Sequence, residues 1–374
     1  MAPPKPVLGK WLLVALLCLL GIGVNCFLKW PILGYIIHGD NDFIGYYAGA
    51  ELAGSPDLYN ADAVARTELP LCEIPRFLAW IRLPFYATLI SPLRLWSFQH
   101  AYWVWQFVSL IALLGFIYYF PAPRWMTILA CCWSVPLLEC FIMGRDVVFV
   151  MVVLAVALSL FTRGKHFAAG SVLSLCLIKY NLFLLLPLLI VGKRLWRLGT
   201  GFIAGGAVLA VVSFAVAGWA WPIHYLEILR LPPTTPQSDG LPNLHGLFAL
   251  QQNSLLWQAA GTVLVLVVTW LVIRRADMAR AFAVTLIGGL LVSYHAFFGD
   301  TFILLPAALF LVSAPAGELD LPTGIFLLSP IASLPFLLPK APYPPAVLLV
   351  AILVLLAAPD LWKSLRFPVL KSAN

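Results

Sequence analysis

DFIGYYAGAELAGSPDLY, Asp42 to Tyr59, is the polar interruption around which an otherwise almost continuously apolar chain is arranged. The surrounding segment from Asp40 to Glu73 holds seven of the sixteen carboxylates in the sequence. Within the stretch, Phe43, Tyr47, Ala50 and Gly54 recur at i, i+4, i+7 and i+11, the apolar and small stripe of a helix lying against a surface. This spacing predicts a short interfacial helix. Asp42 then has two readings. It is either an N-cap that accepts first-turn N–H groups, or a carboxylate held at a membrane surface to take a proton.

Working outward, 62% of the 374 residues are hydrophobic and only 10% are charged, with a mean hydropathy of +0.95. That balance is outside the range of soluble globular domains and indicates an integral membrane protein. Trp11 to Leu28 is the first candidate span. Lys5 and Lys10 precede it and no small-residue cleavage site follows, so it reads as a retained helix with its N-terminus on the cytoplasmic side. The net charge of +7 comes from basic clusters between spans, where such residues set topology and touch anionic lipid. Nucleic acid is not an expected partner. Six of the seven cysteines lie in apolar runs, and Cys72 alone falls in the extramembrane segment. They show no disulfide framework and no metal-ligand spacing.

Residues 29–82 contain no run long enough to cross a hydrocarbon core of ~30 Å and read as a first extracytoplasmic loop with interfacial helices. Leu83 to Ser97, broken by Pro84 and Pro92, reads as a short crossing, and His100 to Phe120 as its return. Trp125 to Met143 is interrupted at Pro136. If every piece crossed, Arg163 and Lys165 would face outward, against the positive-inside bias of the later basic clusters. A broken or re-entrant segment at Trp125 to Met143 repairs the parity and puts Gly144, Arg145 and Asp146 on the same side as Asp42. Phe167 to Val191 reads as a short hairpin with Lys179 at its tip. Residues 218–246 form a proline-rich extracytoplasmic loop. The remaining apolar segments complete a single integral membrane domain over 1–374, an all-α polytopic protein of about eleven to thirteen transmembrane or re-entrant helices. No inverted repeat is evident.

The outer-side polar residues form a set: Asp40, Asp42, Arg76, Arg82, Arg145, Asp146, Lys179, Asn243, His245, His295 and Asp300. The pattern D-F-x-x-Y-Y-x-A-G followed by G-x-x-x-x-Y, present here as DFIGYYAGAELAGSPDLY, resembles the polyprenol-phosphate-sugar-dependent glycosyltransferases of family 87, within the GT-C fold. LPFYATLISPLRLW, MGRDVVFVMVVLAVAL, AAGSVLSLCLIKYNLFLLLPLL and LPNLHGL resemble further stretches of that family in the same order. Arg145 and Asp146 stand where the family usually has Gln and a nearby Asn, and Tyr180 stands where a proline often follows the lysine.

The resemblance implies an inverting transfer of a hexose, mannose foremost, from a polyprenyl-phosphate donor to a glycolipid or polysaccharide acceptor, on the outer face of a bacterial cell membrane. It implies Asp42 as general base, with Asp40 as the alternative, and Lys179 and Arg145 on the donor phosphate. Tyr46, Tyr47, Asn243, His245, His295 and Asp300 are the implied substrate contacts. No cofactor or metal is expected, although His295 and Asp300 leave a divalent cation open. The rival reading is a transporter or flippase of a lipid-linked sugar, with polar residues lining a conduit.

Overall fold

A computed structural model describes residues 7–37, 41–71, 78–230, 240–337 and 344–365, and all regular structure among them is helical. Asp40, Arg76, Cys72 and part of the loop at 218–246 lie outside the described residues. The helices are α1 (Val7–Ile37), α2 (Phe43–Glu51), α3 (Ala61–Glu68), α4 (Pro84–Ile90), α5 (Phe98–Tyr119), α6 (Arg124–Trp133), α7 (Val135–Ile142), α8 (Val147–Thr162) and α9 (His166–Leu173). They continue as α10 (Leu186–Gly192), α11 (Trp196–Ala217), α12 (Trp221–Arg230), α13 (Leu244–Phe248), α14 (Ser254–Arg275), α15 (Met278–Val292), α16 (Leu304–Ser313), α17 (Asp320–Leu328), α18 (Leu334–Leu337) and α19 (Pro344–Leu365). Among the described residues, five helices are long and apolar enough to cross a membrane, six if the bent pair α6–α7 is one span, and four apolar helices are shorter. Two compact units emerge, Met1–Tyr180 with Arg197–Gln237, and Asn181–Trp196 with Ser238–Asn374.

In the first unit α1 runs past the expected end at Leu28 and continues to Ile37. Lys29 does not stop it, because its ammonium is buried in an ion pair with Glu139 of α7. Along its length α1 meets α6 and α7 in parallel register. Lys10 lies 5.7 Å from the Trp125 ring, Trp133 Nε1 donates to the Leu17 carbonyl, Asn25 donates to the Cys132 carbonyl, and Lys29 reaches Glu139. Between Lys10 and Lys29 an α-helix rises ~28 Å, close to the thickness of a bilayer core. The α6–α7 pair, bent by 67°, therefore follows α1 in the same direction instead of turning back, the course of a broken span. At the break Ser134 accepts a hydrogen bond from Leu137 N, so backbone freed by the bend finds a partner inside the protein.

The segment expected to cross at Leu83 to Ser97 does not cross. It is α4 followed by a 3-10 turn, Ser91–Leu95, and both of its ends rest beside α2. Arg82, just before it, donates to the Tyr46 hydroxyl, and the Trp96 carbonyl, just after it, accepts from Tyr47. The prolines at 84 and 92 each open a separate short helix, so no continuous span forms. The parity then closes without a re-entrant loop: α5 leaves the α2 side, α6–α7 returns to it, and α8 leaves again.

From the far end of α8 the chain comes back through α9 and the 3-10 stretch Ser174–Phe183, which breaks at Lys179, where φ is −133° and ψ is 58°. Gly201 and Gly205 of α11 face this limb. A Cβ at Gly201 would lie 2.0 Å from the Phe167 carbonyl oxygen, and one at Gly205 would lie 2.3 Å from Ser174 Oγ. Small residues four apart let two helices approach to backbone contact, as in membrane helix pairs.

α2 is not the one-sided interfacial helix that its stripe predicts. Phe43, Ile44, Tyr46, Tyr47, Ala48, Gly49 and Ala50 are all buried, while Gly54 lies beyond the helix end. Phe43 packs on Phe98, Tyr102 and Trp105 of α5. On another face, a Cβ at Gly49 would sit 2.2 Å from the Trp80 ring. Aromatic cover on one side and a glycine face on another enclose the helix.

The second unit is pinned at one end by Arg280 of α15. Its guanidinium binds Asp320 of α17 through Nε (2.8 Å) and Nη2 (3.0 Å), and Asp360 of α19 through Nη1 (3.1 Å). Such a fork uses the planar guanidinium geometry that lysine lacks. A Cβ at Gly317 would lie 1.8 Å from Arg280 Nη2, so a side chain there would displace the guanidinium from this fork.

Candidate active site

The site is built on the turn between α7 and α8. Three side chains of α5 hold its carbonyls: Gln106 donates to Phe141 O (2.7 Å), Tyr102 to Ile142 O (3.1 Å) and Trp105 to Gly144 O (2.8 Å). The start of α2 docks on the same turn through Asp42 N, which donates to Met143 O at 2.9 Å. Gly144 makes this approach possible. Its φ is +65°, and a Cβ there would come within 2.8 Å of Phe43 Cβ, so a side chain would meet both backbone strain and a clash.

The next two residues of the turn bind opposite charges. Arg145 Nε donates to Asp42 Oδ2 at 2.6 Å, and Arg145 Nη2 lies 4.0 Å from Glu139 Oε1. Asp146, fully buried, receives Arg82 Nε on Oδ2 (2.7 Å), with Arg82 Nη2 (3.3 Å) and Lys179 Nζ (3.3 Å) on Oδ1. Burial alone would push the Asp146 carboxyl up, but Arg82 and Lys179 outweigh it and hold it well below the usual carboxylate range. The Tyr46 hydroxyl accepts from Arg82 Nη2 and lies beside the Asp146 and Asp42 charges. Burial first and then the Asp146 charge push its pKa well above the usual tyrosine value, with Arg82 opposing.

The helix-capping reading of Asp42 finds no support in this geometry, since its side chain makes no cap hydrogen bond to α2. The carboxylate is turned to Arg145 instead. Arg145 in turn pairs with Asp42 and Glu139 rather than with its neighbour Asp146. Lys179 reaches Asp146 because the limb carrying it runs back along α8, where Cys176 Sγ lies 3.8 Å from the Val150 carbonyl. Among the other expected residues of this unit, the Tyr46 hydroxyl belongs to the Arg82–Asp146 cluster and that of Tyr47 is bonded to Trp96 O.

Asn243, His245, His295 and Asp300 lie in the second unit. Asn243 caps α13 by accepting from Gly246 N and donates to Tyr294 O. The His245 ring lies 4.7 Å from that of Tyr294, and the His295 carbonyl accepts from Asn181. These three therefore gather at one end of α15. Asp300 accepts from Phe297 N at 2.9 Å, closing the turn that precedes α16.

A family model for glycosyltransferase family 87 matches residues 80–297, more than half of the chain. The chain belongs to glycosyltransferase family 87. No curated protein and no solved structure matches it. The match to the transferase family covers Arg82, Glu139, Arg145, Asp146 and Lys179 but begins after Asp42. In the transferase the Met143 carbonyl and the Arg145 side chain tie Asp42 to the matched region. Among the described residues no group of three or more His, Cys, Asp or Glu is placed to hold a metal ion.

The residues that sequence reading left without a role are Arg82, Asp146, Glu139 and Lys29. For Glu139 a signal was present. It is a carboxylate inside an apolar broken span, VPLLECFIM, and an ionisable residue at such a place is a functional candidate with a partner to be sought. Arg82 carried no comparable signal, because its partner Asp146 lies 64 residues away in sequence.

Proposed function

We propose that this transferase moves a hexose, mannose foremost, from a polyprenyl-phosphate donor to a glycolipid or polysaccharide acceptor at the outer membrane face, by inverting displacement. Asp42 takes the acceptor hydroxyl's proton as that oxygen bonds to the anomeric carbon. The bond from the anomeric carbon to the phosphate oxygen breaks, its electron pair stays on the phosphate, and polyprenyl phosphate leaves. Lys179 stands by that phosphate, where a low dielectric strengthens its attraction for the departing charge. The observation that carries the reading is the Arg145–Asp146 dipeptide, whose two side chains bring the expected base and the expected cation to one turn. The buried Tyr86 hydroxyl supports it. It lies within the field of Asp146, Tyr46 and Arg82 and has no hydrogen-bond partner among the described residues, so a phosphate or sugar oxygen could satisfy it.

The test is transfer from radiolabelled polyprenyl-phosphate sugars, mannose and arabinose, in vesicles of both orientations that carry the native acceptor. Label entering a lipid or glycan supports the reading; label crossing the bilayer without transfer would replace it with a flippase. Lys179→Ala is expected to weaken donor use by about 1.5–3 kcal/mol, the range of a charge-assisted hydrogen bond, seen as a raised donor KM. An unchanged KM would move the phosphate away from Lys179.

The outer-face placement has its own check. Asp57 and Arg163 are both exposed and stand at opposite ends of the first unit's spans. In a background without native cysteines, Asp57→Cys should react with an impermeant maleimide from outside and Arg163→Cys only from the cytoplasm. Labelling of both from one face would overturn the α1–α8 parity.

A further inference from the structure

Sequence resemblance puts Arg145 on the donor phosphate, but the geometry points elsewhere, and we infer that Arg145 is a positioning residue for Asp42, backed by Glu139 and Lys29. This rests on the proposed role of Asp42 as the base. Four side chains alternate in charge along one path, Lys29 to Glu139, Glu139 to Arg145, and Arg145 to Asp42. They come from four separate segments of the first unit: α1, α7, the α7–α8 turn and the start of α2. Side-chain exposure is 8% for Lys29, 11% for Glu139, 10% for Arg145 and 23% for Asp42. The open end of the path is therefore the carboxylate, with the guanidinium behind it.

The two placements make different demands on the groups. A phosphate bound to Arg145 would compete for a guanidinium already bonded to Asp42 at 2.6 Å and flanked by Glu139, and a second anion there is repelled by both carboxylates. A guanidinium bonded to Asp42 Oδ2 does something else. It fixes the plane of the carboxylate and leaves Oδ1, which accepts no hydrogen bond among the described residues, as the oxygen that meets the acceptor hydroxyl. Arginine suits this because its Nε–H and Nη–H groups lie in one plane and can address Asp42 and Glu139 together, whereas a lysine offers a single point charge. Arg145 is held by its backbone too, as Arg145 N donates to Cys140 O at 2.7 Å. The turn that carries it is the one clamped by Tyr102, Trp105 and Gln106. Proton-accepting groups lose efficiency steeply when misplaced, about 10²-fold for a shift near 1 Å.

The experiment is a kinetic cycle in membranes carrying the native acceptor, using whichever radiolabelled polyprenyl-phosphate sugar the unmodified enzyme transfers. Variants are checked for intact folding by size-exclusion chromatography in detergent. Arg145→Ala should lower kcat by about 10–10²-fold with donor KM within about twofold, and Glu139→Gln should do the same to a smaller degree. In the Asp42→Asn background, Arg145→Ala should cost less than about threefold more, because residues acting as one unit are not additive. Arg145→Lys should recover part of kcat. A donor KM raised about tenfold with kcat held would return Arg145 to the phosphate. A full multiplicative loss in the double variant would show that it acts independently of Asp42. An inactive unmodified enzyme, or an active Asp42→Asn variant, would instead overturn the transferase mechanism on which the inference rests.

Discussion

Asp42→Asn is expected to lower sugar transfer by about 10²–10⁴-fold while the protein folds and still binds donor. The amide keeps the shape of the carboxylate but cannot accept a proton. If Asp42 merely started α2, asparagine would serve as well, since Asn and Asp cap helices about equally. The structure sharpens this contrast because the Asp42 side chain makes no cap hydrogen bond at all, so the substitution removes nothing from α2 itself. What it removes is one ion pair of Arg145, which keeps Glu139 nearby. Transfer measured with radiolabelled donor, beside a detergent melting curve, separates the two effects. A variant that transfers at near-normal rate would remove Asp42 as the base. The parallel Asp40→Asn variant should be far milder, and the reverse result would place the base two residues upstream.

Asp146→Asn should have the largest effect on stability. Asp146 is fully buried and compensates two buried cations, Arg82 and Lys179. Removing one partner from a buried ion cluster costs about 3–5 kcal/mol, mostly because the charge left behind has no water to replace the lost partner. Thermal unfolding in detergent should show this loss, whereas Asp57→Asn, on the exposed turn after α2, should stay within about 0.5 kcal/mol of the unmodified protein. An Asp146→Asn protein melting with the unmodified one would mean that the cluster is hydrated in the membrane. The pH dependence has a fixed sign. A carboxyl held below its unfolded value contributes fully above that value, about pH 4, and loses the contribution only as pH falls toward the depressed folded value. Asp146 should therefore leave stability flat through the neutral range and weaken it on acidification.

Two adjacent residues of one turn thus do different work. Arg145 faces the carboxylate that is proposed to act, and Asp146 faces Arg82 and Lys179, of which Lys179 is proposed to meet the leaving group. Neither pairing follows from their adjacency. The simplest expectation for neighbouring Arg and Asp is a local ion pair, and the turn prevents it by sending the side chains to different partners, one on α2 and one on the limb after α9.

By itself the sequence determined that the chain is an all-α membrane protein, because a mean hydropathy of +0.95 and apolar runs of span length leave no other fold class. It also marked the broken segment at Pro136, the interruption at Lys179 and the DFIGYYAGA stretch, since prolines, isolated charges and small residues disrupt helix periodicity wherever they occur. Only the tertiary structure decided that Leu83 to Ser97 stays beside α2 while α6–α7 climbs with α1. Hydropathy reports length and apolarity, and two short helices broken by proline look alike whether they cross or not. It decided equally that α2 is enclosed, because a stripe of aromatic and small residues fits a membrane surface and a close-packed core alike. The charge pairing also lay beyond sequence: Arg82 with Asp146, Arg145 with Asp42 and Lys29 with Glu139 are joined across 64, 103 and 110 residues. Such pairs form where the packing of whole helices brings two chain segments together, and no local pattern encodes that meeting.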